Sequence, residues 1–293
     1  MLLHGEAPAK INRELRVGAL RPDGYHEVFS RIVSIDLADR VEVAPARELQ
    51  LTCAGAKLPV DDSNLVVRAA KALASHLGIA PRARIRLEKR VPVGAGLGGA
   101  SADAAVTLLL LARLWDFSGP LEELSQIAAS LGSDVPFFLV GGEADVSGRG
   151  ERVQAREDPP TQEVFLLVPP FSLATGQVYA AFERLQRARG PLPQRLAVEI
   201  SHDFFGPNDL SEAVRQTEPR MEAYLESARE TATEFAITGS GSSIVMRGID
   251  AKARGWLERR HPEATLQAAR TLHRQEYWRR TSGPGGSPWK SLR

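Results

Sequence analysis

Apolar and polar residues alternate in RIVSIDLADRVEVAPA, which begins at Arg31 and in which β-branched residues are also frequent. A period of two indicates strands with one buried face, so we predict strands over residues 7–54. The pattern then changes to apolar residues three and four positions apart in DSNLVVRAAKALASHLG. This spacing predicts a helix that is capped by Asp62 or Ser63 and ended by Gly78.

The remaining pattern mixes strands and helices without strict alternation. In the first half it predicts a strand over 83–91, helices near 101–115 and 120–131, and strand and turn through VPFFLVGGEADVSGRGERV. In the second half it predicts a buried strand in VFLLVPP, helices near 175–188, 208–228 and 250–260, a strand–turn–strand in EFAITGSGSSIVMRG, a strand near 264–268 and a further helix. Such a mixture is typical of the α+β class.

A break in this pattern divides the chain. The stretch REDPPTQ at 156–162 combines charge with paired prolines, which favours a boundary there. We therefore predict an N-terminal domain over 1–155, a C-terminal domain over 156–280 and a disordered tail over 281–293, where the sequence is TSGPGGSPWKSLR. Two α+β domains of this size commonly hold a site in the cleft between them.

Composition and charge exclude several classes of protein. The chain has 293 residues with 37 basic and 36 acidic side chains, so its net charge favours neither nucleic acid nor membrane as a partner. The longest apolar run, 104–112, is too short to span a bilayer, and the N-terminus lacks the apolar core of a signal peptide. Cys53 is the single cysteine, which fits a cytoplasmic protein, and the six histidines lack metal-ligand spacing, so we expect no protein-built metal site.

The most informative stretch is VPVGAGLGGASADAAVTLLLLA, which begins at Val91. A glycine-rich loop that leads into a helix N-terminus is a favourable site for phosphate, although a flexible surface loop is the structural alternative. The nucleoside-triphosphatase loop needs lysine where Ala100 stands. The dinucleotide pattern G-x-G-x-x-G does fit at Gly94, Gly96 and Gly99, but a second helix follows where that fold needs a strand.

Four further stretches carry polar groups that could take part in chemistry. APAKINREL places Lys10 and Asn12 on one face of a strand, and the turn RPDGYHEV delivers Tyr25 and His26. LGSDVPFF presents Asp134 just before an apolar strand, and TGSGSS is a second glycine turn. Taken singly, each has a structural alternative: a solvated strand face, packing, a cap residue and a hairpin turn.

Together, these stretches resemble the superfamily of galactokinase, homoserine kinase, mevalonate kinase and phosphomevalonate kinase. Its three motifs correspond to PAKIN, PVGAGLGGASADAA and ITGSGSS. Within it, the chain is most similar to the 4-diphosphocytidyl-2-C-methyl-D-erythritol kinases, because RPDGYHEV, DSNLVVRAA, LGSDVPFF and NDL at 208–210 also match, in order. The Asp-Gly-Tyr-His element belongs to this family rather than to the superfamily, and the resemblance covers about residues 6–248.

This resemblance implies a two-domain kinase fold with an N-terminal domain like that of ribosomal protein S5 and an active site in the cleft. It implies transfer of the γ-phosphate of ATP, with Mg²⁺ carried by ATP, to the 2-hydroxyl of a small-molecule substrate with a cytidine diphosphate group, in the non-mevalonate isoprenoid pathway. Asp134 matches the catalytic aspartate and Lys10 the lysine beside it. A carboxylate there could accept the hydroxyl proton, and a nearby cation would keep it ionised.

The resemblance also implies binding residues. Asn12, Tyr25 and His26 match substrate-site positions, and Tyr179 matches a second aromatic residue against the cytosine. The residues implied at the nucleotide are Asn64, Leu65, Lys89, Pro92, Gly94, Ala95, Gly96, Leu97, Gly98, Gly99, Ala100, Ser101 and Ala102. Ala100 and Ala102 replace commoner Gly and Ser, and Arg13 replaces an apolar residue, but none of these changes removes a group that the chemistry requires.

Three other functions stay open at this point. Another kinase of the superfamily should lack the Asp-Gly-Tyr-His element. A dinucleotide-dependent oxidoreductase is favoured only by the glycine triplet. An RNA-binding module is possible because the S5-like fold does not determine function, although the balanced charge counts against it.

Overall fold

The structure is a computed structural model that describes residues 1–187, 190 and 204–282. These residues form two β-sheets with helices packed on them, which confirms the α+β class. Of the tail predicted over 281–293, residues 283–293 lie outside the described residues, whereas Thr281 and Ser282 are the last residues of a helix. Across the described ranges, no helix combines the length and the apolar character needed to cross a bilayer.

The first sheet is built around one long central strand. In chain order, this half of the structure consists of β1 (Leu3–Leu20), β2 (His26–Ala44), β3 (Gln50–Ala54), α1 (Leu65–Leu77), β4 (Arg84–Glu88), α2 (Gly99–Leu114), α3 (Leu121–Leu131), α4 (Phe137–Val140), β5 (Glu143–Gly148) and β6 (Arg152–Ala155). Strand β2 pairs antiparallel with β1 along one edge and with β4 and β5 along the other. Strand β3 pairs parallel with β4, and β6 pairs antiparallel with β5.

Helix α2 lies at the centre of the first hydrophobic core. Eleven of its 16 residues are buried, as expected for a helix that is apolar on all sides. It packs against α1 and α3, each of which buries one apolar face, and against the strands of the first sheet. Because α2 is held so firmly, the glycine loop that precedes it is fixed at its helix end.

The second sheet carries the remaining elements. They are β7 (Glu163–Val168), α5 (Thr175–Arg187), α6 (Ser211–Thr217), α7 (Met221–Thr231), β8 (Glu234–Ile237), β9 (Ile244–Arg247), α8 (Ala251–Arg260), β10 (Thr265–Arg270) and α9 (Arg274–Ser282). The strands are antiparallel in the order β10-β7-β9-β8. Helix α9 then returns to the first sheet, where Trp278 joins its core and the Tyr277 hydroxyl donates to the Phe138 carbonyl oxygen at 2.5 Å. The division of the chain near 156 stays a prediction.

A separate apolar cluster joins the two sheets. Residues of β1 and β2 such as Ile11 and Val33 meet Leu166 and Val245 of the second sheet. Ala95 and Leu97 of the glycine loop are buried in the same cluster. The loop is therefore anchored between the sheets by its apolar side chains.

Three local predictions were wrong, each for a physical reason. Helix α1 is capped by Asn64, whose side-chain oxygen accepts from the Val66 N–H, rather than by Asp62 or Ser63. The apolar run after Asp134 forms the short helix α4 rather than a strand, because a short apolar run carries no period that separates the two. The helix predicted near 208–228 is two helices, because Glu218 is extended before Pro219.

Candidate active site

A cavity of about 880 Å³ lies where the glycine loop, the second glycine turn and helix α5 meet the free edge of β1. It is lined by Lys10, Asn12, Tyr25, His26, Asn64, Leu65, Lys89, Pro92, Gly94, Ala95, Gly96, Leu97, Gly98, Gly99, Ala100, Ser101, Asp134 and Tyr179. The structure thus brings together all but one of the residues that the sequence singled out. The exception is Ala102, which is fully buried inside α2.

The free edge of β1 holds the two glycine loops around this cavity, because backbone and side-chain groups of these loops accept hydrogen bonds from N–H groups of β1. The Lys10 N–H donates to the Leu97 carbonyl oxygen of the glycine loop at 2.9 Å. The Asn12 N–H donates to Thr238 Oγ1 of the second glycine turn, also at 2.9 Å. The N–H groups of Lys10 and Asn12 on this edge are thus both hydrogen-bonded, and their side chains lie between the two glycine loops.

Lys10, Asn12 and Asp134 form a polar group within the cavity. Lys10 Nζ donates to Asn12 Oδ1 at 2.6 Å and lies 3.7 Å from Asp134 Oδ2. The Asn12 amide nitrogen donates to Ser30 Oγ at 2.7 Å, which fixes the orientation of the amide. Asp134 follows α3 and its side chain is 39% exposed, so its carboxylate faces the cavity while the ammonium group lies below it.

Burial and charge act in opposite directions on Lys10. Burial lowers the pKa of its ammonium group below the usual lysine range, and the negative charge of Asp134 partly offsets this effect. The charged form of the Lys10 side chain is therefore stabilised in part by Asp134. A cation and a carboxylate held together in a cleft are an arrangement typical of active sites.

The N-terminus of helix α2 opens into the same cavity. Its N-cap, Gly98, has φ of 72°, and no side chain caps the helix. Gly99, Ala100 and Ser101 line the cavity with the first turn, whose N–H groups have no partner within the helix. An uncapped helix N-terminus beside a glycine loop is suited to bind an anion such as phosphate.

The glycines of the loop are also required by the packing of the protein itself. Gly94, Gly96 and Gly98 all have positive φ. A Cβ atom on Gly96 would lie 2.5 Å from the Thr238 carbonyl oxygen and 2.8 Å from that of Gly241. The two glycine turns therefore approach each other closely, which a sequence motif for phosphate binding does not reveal.

Lys89 lies in a buried charge cluster behind the loop. Its ammonium group donates to Asp39 and, at 2.8 Å, to Asp103 Oδ2. Asp39 also accepts from the backbone N–H groups of Arg90 at 2.5 Å and Val91 at 2.8 Å, so it fixes the start of the loop. Burial opposes the charge, but Asp103 and Asp39 together raise the pKa of Lys89, whereas burial raises the pKa of Asp103 well above its usual range.

Aromatic side chains lie at the end of the cavity formed by α5 and the β1–β2 turn. Tyr25 is 49% exposed, and the Arg149 guanidinium group lies 5.2 Å from the centre of its ring. The His26 ring stacks on Tyr179 with centroids 5.7 Å apart. Burial raises the pKa of Tyr179, so its hydroxyl is neutral over the physiological range.

Several residues in or behind the cavity were not identified from the sequence, or were quoted without a role. Asn208, in the NDL match, donates to the carbonyl oxygens of Ile237 at 2.9 Å and Gly239 at 2.8 Å and so holds the second glycine turn. Arg149 and Glu183 line the cavity on elements that carry no motif. The position of NDL was visible in the sequence, but its contact with the turn was not.

The comparisons with known proteins agree on one group of kinases. The profile described as GHMP kinases N terminal domain matches residues 64–142. A 4-diphosphocytidyl-2-C-methyl-D-erythritol kinase from Streptomyces avermitilis is 38% identical over 259 residues, which cover 83% of this chain and 87% of that protein. A crystal structure of 4-(cytidine 5'-diphospho)-2C-methyl-D-erythritol kinase has a TM-score of 0.72 and 30% identity, with 92% and 98% coverage. Homoserine kinase from Cytophaga hutchinsonii, with a TM-score of 0.64, 17% identity and coverage of 94% and 96%, shares the fold.

Proposed function

The chain belongs to the 4-diphosphocytidyl-2-C-methyl-D-erythritol kinase family, and from this we propose that it transfers the γ-phosphate of ATP to the 2-hydroxyl of 4-diphosphocytidyl-2-C-methyl-D-erythritol. A kinase needs a site for the triphosphate, a group that receives the hydroxyl proton and a group that offsets the charge of the transferred phosphoryl. The cavity offers a candidate for each of these roles.

The triphosphate is assigned to the glycine loop and the N-terminus of α2. The free N–H groups of Gly99, Ala100 and Ser101 and the helix dipole supply positive potential there without a charged side chain. The nucleoside part of ATP then falls beside Asn64 and Leu65, which line the same cavity. The side chain of Asn64 caps α1 and donates to the Pro59 carbonyl oxygen at 2.8 Å, so it acts there by shaping the wall.

The chemical step is assigned to Asp134 and Lys10. Asp134 orients the 2-hydroxyl and receives its proton as the oxygen attacks the γ-phosphorus. Lys10, whose Nζ lies 3.7 Å from Asp134 Oδ2, keeps the carboxylate ionised and offsets charge on the phosphoryl group. The observation that carries this proposal is that this pair and the uncapped N-terminus of α2 line the same cavity.

Mg²⁺ enters the proposal as part of the nucleotide substrate, where it neutralises charge on the phosphates. Across residues 1–187, 190 and 204–282, no group of three or more His, Cys, Asp or Glu side chains is placed to hold a metal ion. Magnesium commonly needs only one or two protein oxygens besides the phosphates. The Ser101 hydroxyl, in the first turn of α2 where the phosphates are assigned, is a cavity group that would fit this chemistry.

The cytidine end of the substrate is assigned to the aromatic end of the cavity, with Tyr25 and Tyr179 on the two faces of the base and Asn12 and His26 nearby. An aromatic pair binds a base by stacking, which contributes about 1–3 kcal/mol per base. This end is formed by the β1–β2 turn and α5, whereas the phosphates are assigned to the glycine loop and the N-terminus of α2, so the two substrates would use different elements of the same cavity.

ADP release is the test of this function. We expect turnover with the cytidine diphosphate substrate and none with homoserine or mevalonate phosphate, while Asp134→Asn in the same assay excludes a contaminating kinase. Preferential phosphorylation of homoserine or mevalonate phosphate would assign the chain to another branch of the superfamily. Binding of a nicotinamide cofactor, or salt-dependent binding of RNA without ADP release, would contradict the kinase function itself.

A further inference from the structure

The stretch 204–210, which we call the bridging segment, lies along the free edge of β1 although it belongs to no helix or strand. Its backbone is hydrogen-bonded to β1, for example from the Gly206 N–H to the Arg13 carbonyl oxygen at 2.7 Å. Near its other end, the Asn208 side chain donates to two carbonyl oxygens of the second glycine turn and of the strand that leads into it. The bridging segment therefore connects β1 to this turn, and a contact that fixes the segment also helps to fix the turn.

The second glycine turn forms the wall of the cavity beside the polar group. A Cβ atom on Gly239 would lie 3.3 Å from Lys10 Nζ and 3.4 Å from Asn12 Oδ1. It would also lie 3.3 Å from the Gly96 carbonyl oxygen of the glycine loop. The turn is thus the immediate neighbour both of the lysine assigned to the chemical step and of the loop assigned to the triphosphate.

The side chain of Arg13 fixes the start of the bridging segment by three contacts. Its Nε donates to the Phe204 carbonyl oxygen at 2.9 Å, and its guanidinium group lies over the Phe204 ring, 4.6 Å from the ring centre. Its Nη1 donates to Glu143 Oε2 on β5 of the first sheet at 2.7 Å. A planar guanidinium group can donate within its plane and stack with its face at the same time, which neither lysine nor an apolar side chain can do.

Phe204 also connects the bridging segment to the second sheet. It is 7% exposed and belongs to the apolar cluster that joins the two sheets. The guanidinium group of Arg247, on β9, lies over the same ring at 4.5 Å from its centre. The position of Phe204 is therefore set by an arginine from each sheet.

We propose that Arg13 is a positioning residue that acts through the bridging segment and keeps the second glycine turn in place beside Lys10 and the glycine loop. The arginine is a departure of this chain, because the kinases that it resembles usually have an apolar residue at this position. This inference rests on the proposed function, in which Lys10 offsets charge on the transferred phosphoryl group. It adds that turnover depends on a side chain that does not line the cavity.

Steady-state kinetics of the full chain separate positioning from a general loss of stability. In Arg13→Leu, which removes all three contacts, kcat should fall about 5- to 20-fold, because the groups around the reacting phosphoryl are less well aligned. KM for the cytidine substrate should stay within about threefold, since Tyr25 and Tyr179 lie on other elements. A KM for this substrate that rises while kcat stays unchanged would contradict the proposal.

Glu143→Gln is the matched control for Arg13→Leu. It removes the charge of the same ion pair but leaves both contacts with Phe204, so kcat should stay within about twofold of the wild type. Arg13→Lys keeps the positive charge without the planar group, and its kcat should lie between those of the wild type and Arg13→Leu. A loss of kcat in Glu143→Gln as large as that in Arg13→Leu would reduce the role of Arg13 to stability alone.

A double-mutant cycle tests the path through Asn208. Asn208→Ala removes the two hydrogen bonds that hold the second glycine turn. If Arg13 acts through these bonds, Arg13→Leu should lower kcat by no more than about twofold further in the Asn208→Ala background, because coupled residues are not additive. The full loss of kcat in both backgrounds would show that the two residues act independently and would refute this path.

Hydrogen exchange tests the position of the turn without substrate. Peptides that cover 236–243 should take up deuterium faster in Arg13→Leu than in the wild type and Glu143→Gln, whereas peptides from the buried helix α2 should not change. Equal protection of the turn in all three proteins would overturn the proposal, and Arg13→Lys provides the same comparison if Arg13→Leu does not fold. If the wild type lacks activity on the cytidine substrate while this exchange result holds, the proposed function fails and the positioning of the turn by Arg13 stands.

Discussion

Replacing Asp134 by asparagine should have two separable effects, on turnover and on Lys10. Asparagine keeps the shape of the side chain but cannot receive the proton of the substrate hydroxyl, so kcat should fall by roughly 10²- to 10⁴-fold. KM for ATP should change little, because the phosphates are assigned to backbone N–H groups. Near-normal turnover would refute the role of Asp134 in the chemical step.

The second effect follows from the distance between the two charges. At 3.7 Å, the attraction between Lys10 Nζ and Asp134 Oδ2 would be about 4 kcal/mol at an effective dielectric constant of 20 and about 1 kcal/mol in water. Because Asp134 is 39% exposed, we take the solvent-screened end of this range, about 1 kcal/mol. Asp134→Asn should therefore lower the pKa of Lys10, in the same direction as burial.

The chain suits this measurement because it has only six lysines. Titration of ¹³C-labelled lysine side chains by NMR, with Lys10 assigned through Lys10→Met, would give the pKa in the wild type and in Asp134→Asn. Asp116→Asn is the matched control, since Asp116 is exposed after α2 and its φ of 53° is tolerated by asparagine. A Lys10 titration that does not move in Asp134→Asn would refute the electrostatic coupling.

Three further substitutions test other parts of the site. Ala100→Asp places a carboxylate in the first turn of α2, where it would repel the phosphates, so KM for ATP should rise about 10-fold or more while thermal unfolding shows no loss of stability. Ala100→Asn is the neutral control, and an unchanged KM for ATP in Ala100→Asp would argue against phosphate binding there. Tyr25→Ala should raise KM for the cytidine substrate roughly 10- to 100-fold with kcat within several-fold, and an equal fall of kcat and kcat/KM would place Tyr25 in the chemical step instead. Lys89→Met leaves Asp39 and Asp103 buried without a counter-charge, so urea unfolding should show a loss of about 3–5 kcal/mol, and an unchanged midpoint would contradict the role of this cluster.

The elements that sequence reasoning predicted well are those with a long uninterrupted pattern. The alternation in RIVSIDLADRVEVAPA predicts a strand and the continuous apolar run of α2 a helix, and both elements are confirmed, although β2 is buried on both faces along most of its length. The errors lie where local sequence is ambiguous. Phe137–Val140 is too short to show a period, and the choice among neighbouring cap residues before α1 depends on which backbone N–H each side chain can reach.

Sequence reasoning could identify individual residues of the site but not the hydrogen bonds that join them. Motifs indicated Lys10, Asn12 and Asp134 because each lies in a stretch with a chemical signature. The bond from the Asn12 N–H to Thr238 Oγ1 joins residues 226 positions apart, and only the folded chain brings them together. Glu183 lies on an ordinary amphipathic helix, where a charged residue is usually solvated, so nothing in its neighbourhood indicates a contact with His26.

The way in which the free edge of β1 is covered has a consequence for the protein during its synthesis. Besides the Asn12 N–H, which donates to Thr238, the Leu15 N–H donates to the Pro207 carbonyl oxygen, so two acceptors for the first strand made come from the second half of the chain. At 5–20 residues per second, a ribosome needs roughly 10–45 s to add the 226 residues that separate Asn12 from Thr238. For that time β1 exposes unpaired N–H groups beside apolar residues, which makes the nascent chain a template for strand pairing with its neighbours on the same polysome. The feature that assembles the cavity in the finished enzyme is thus also the one that leaves a strand edge unpaired while the chain is being made.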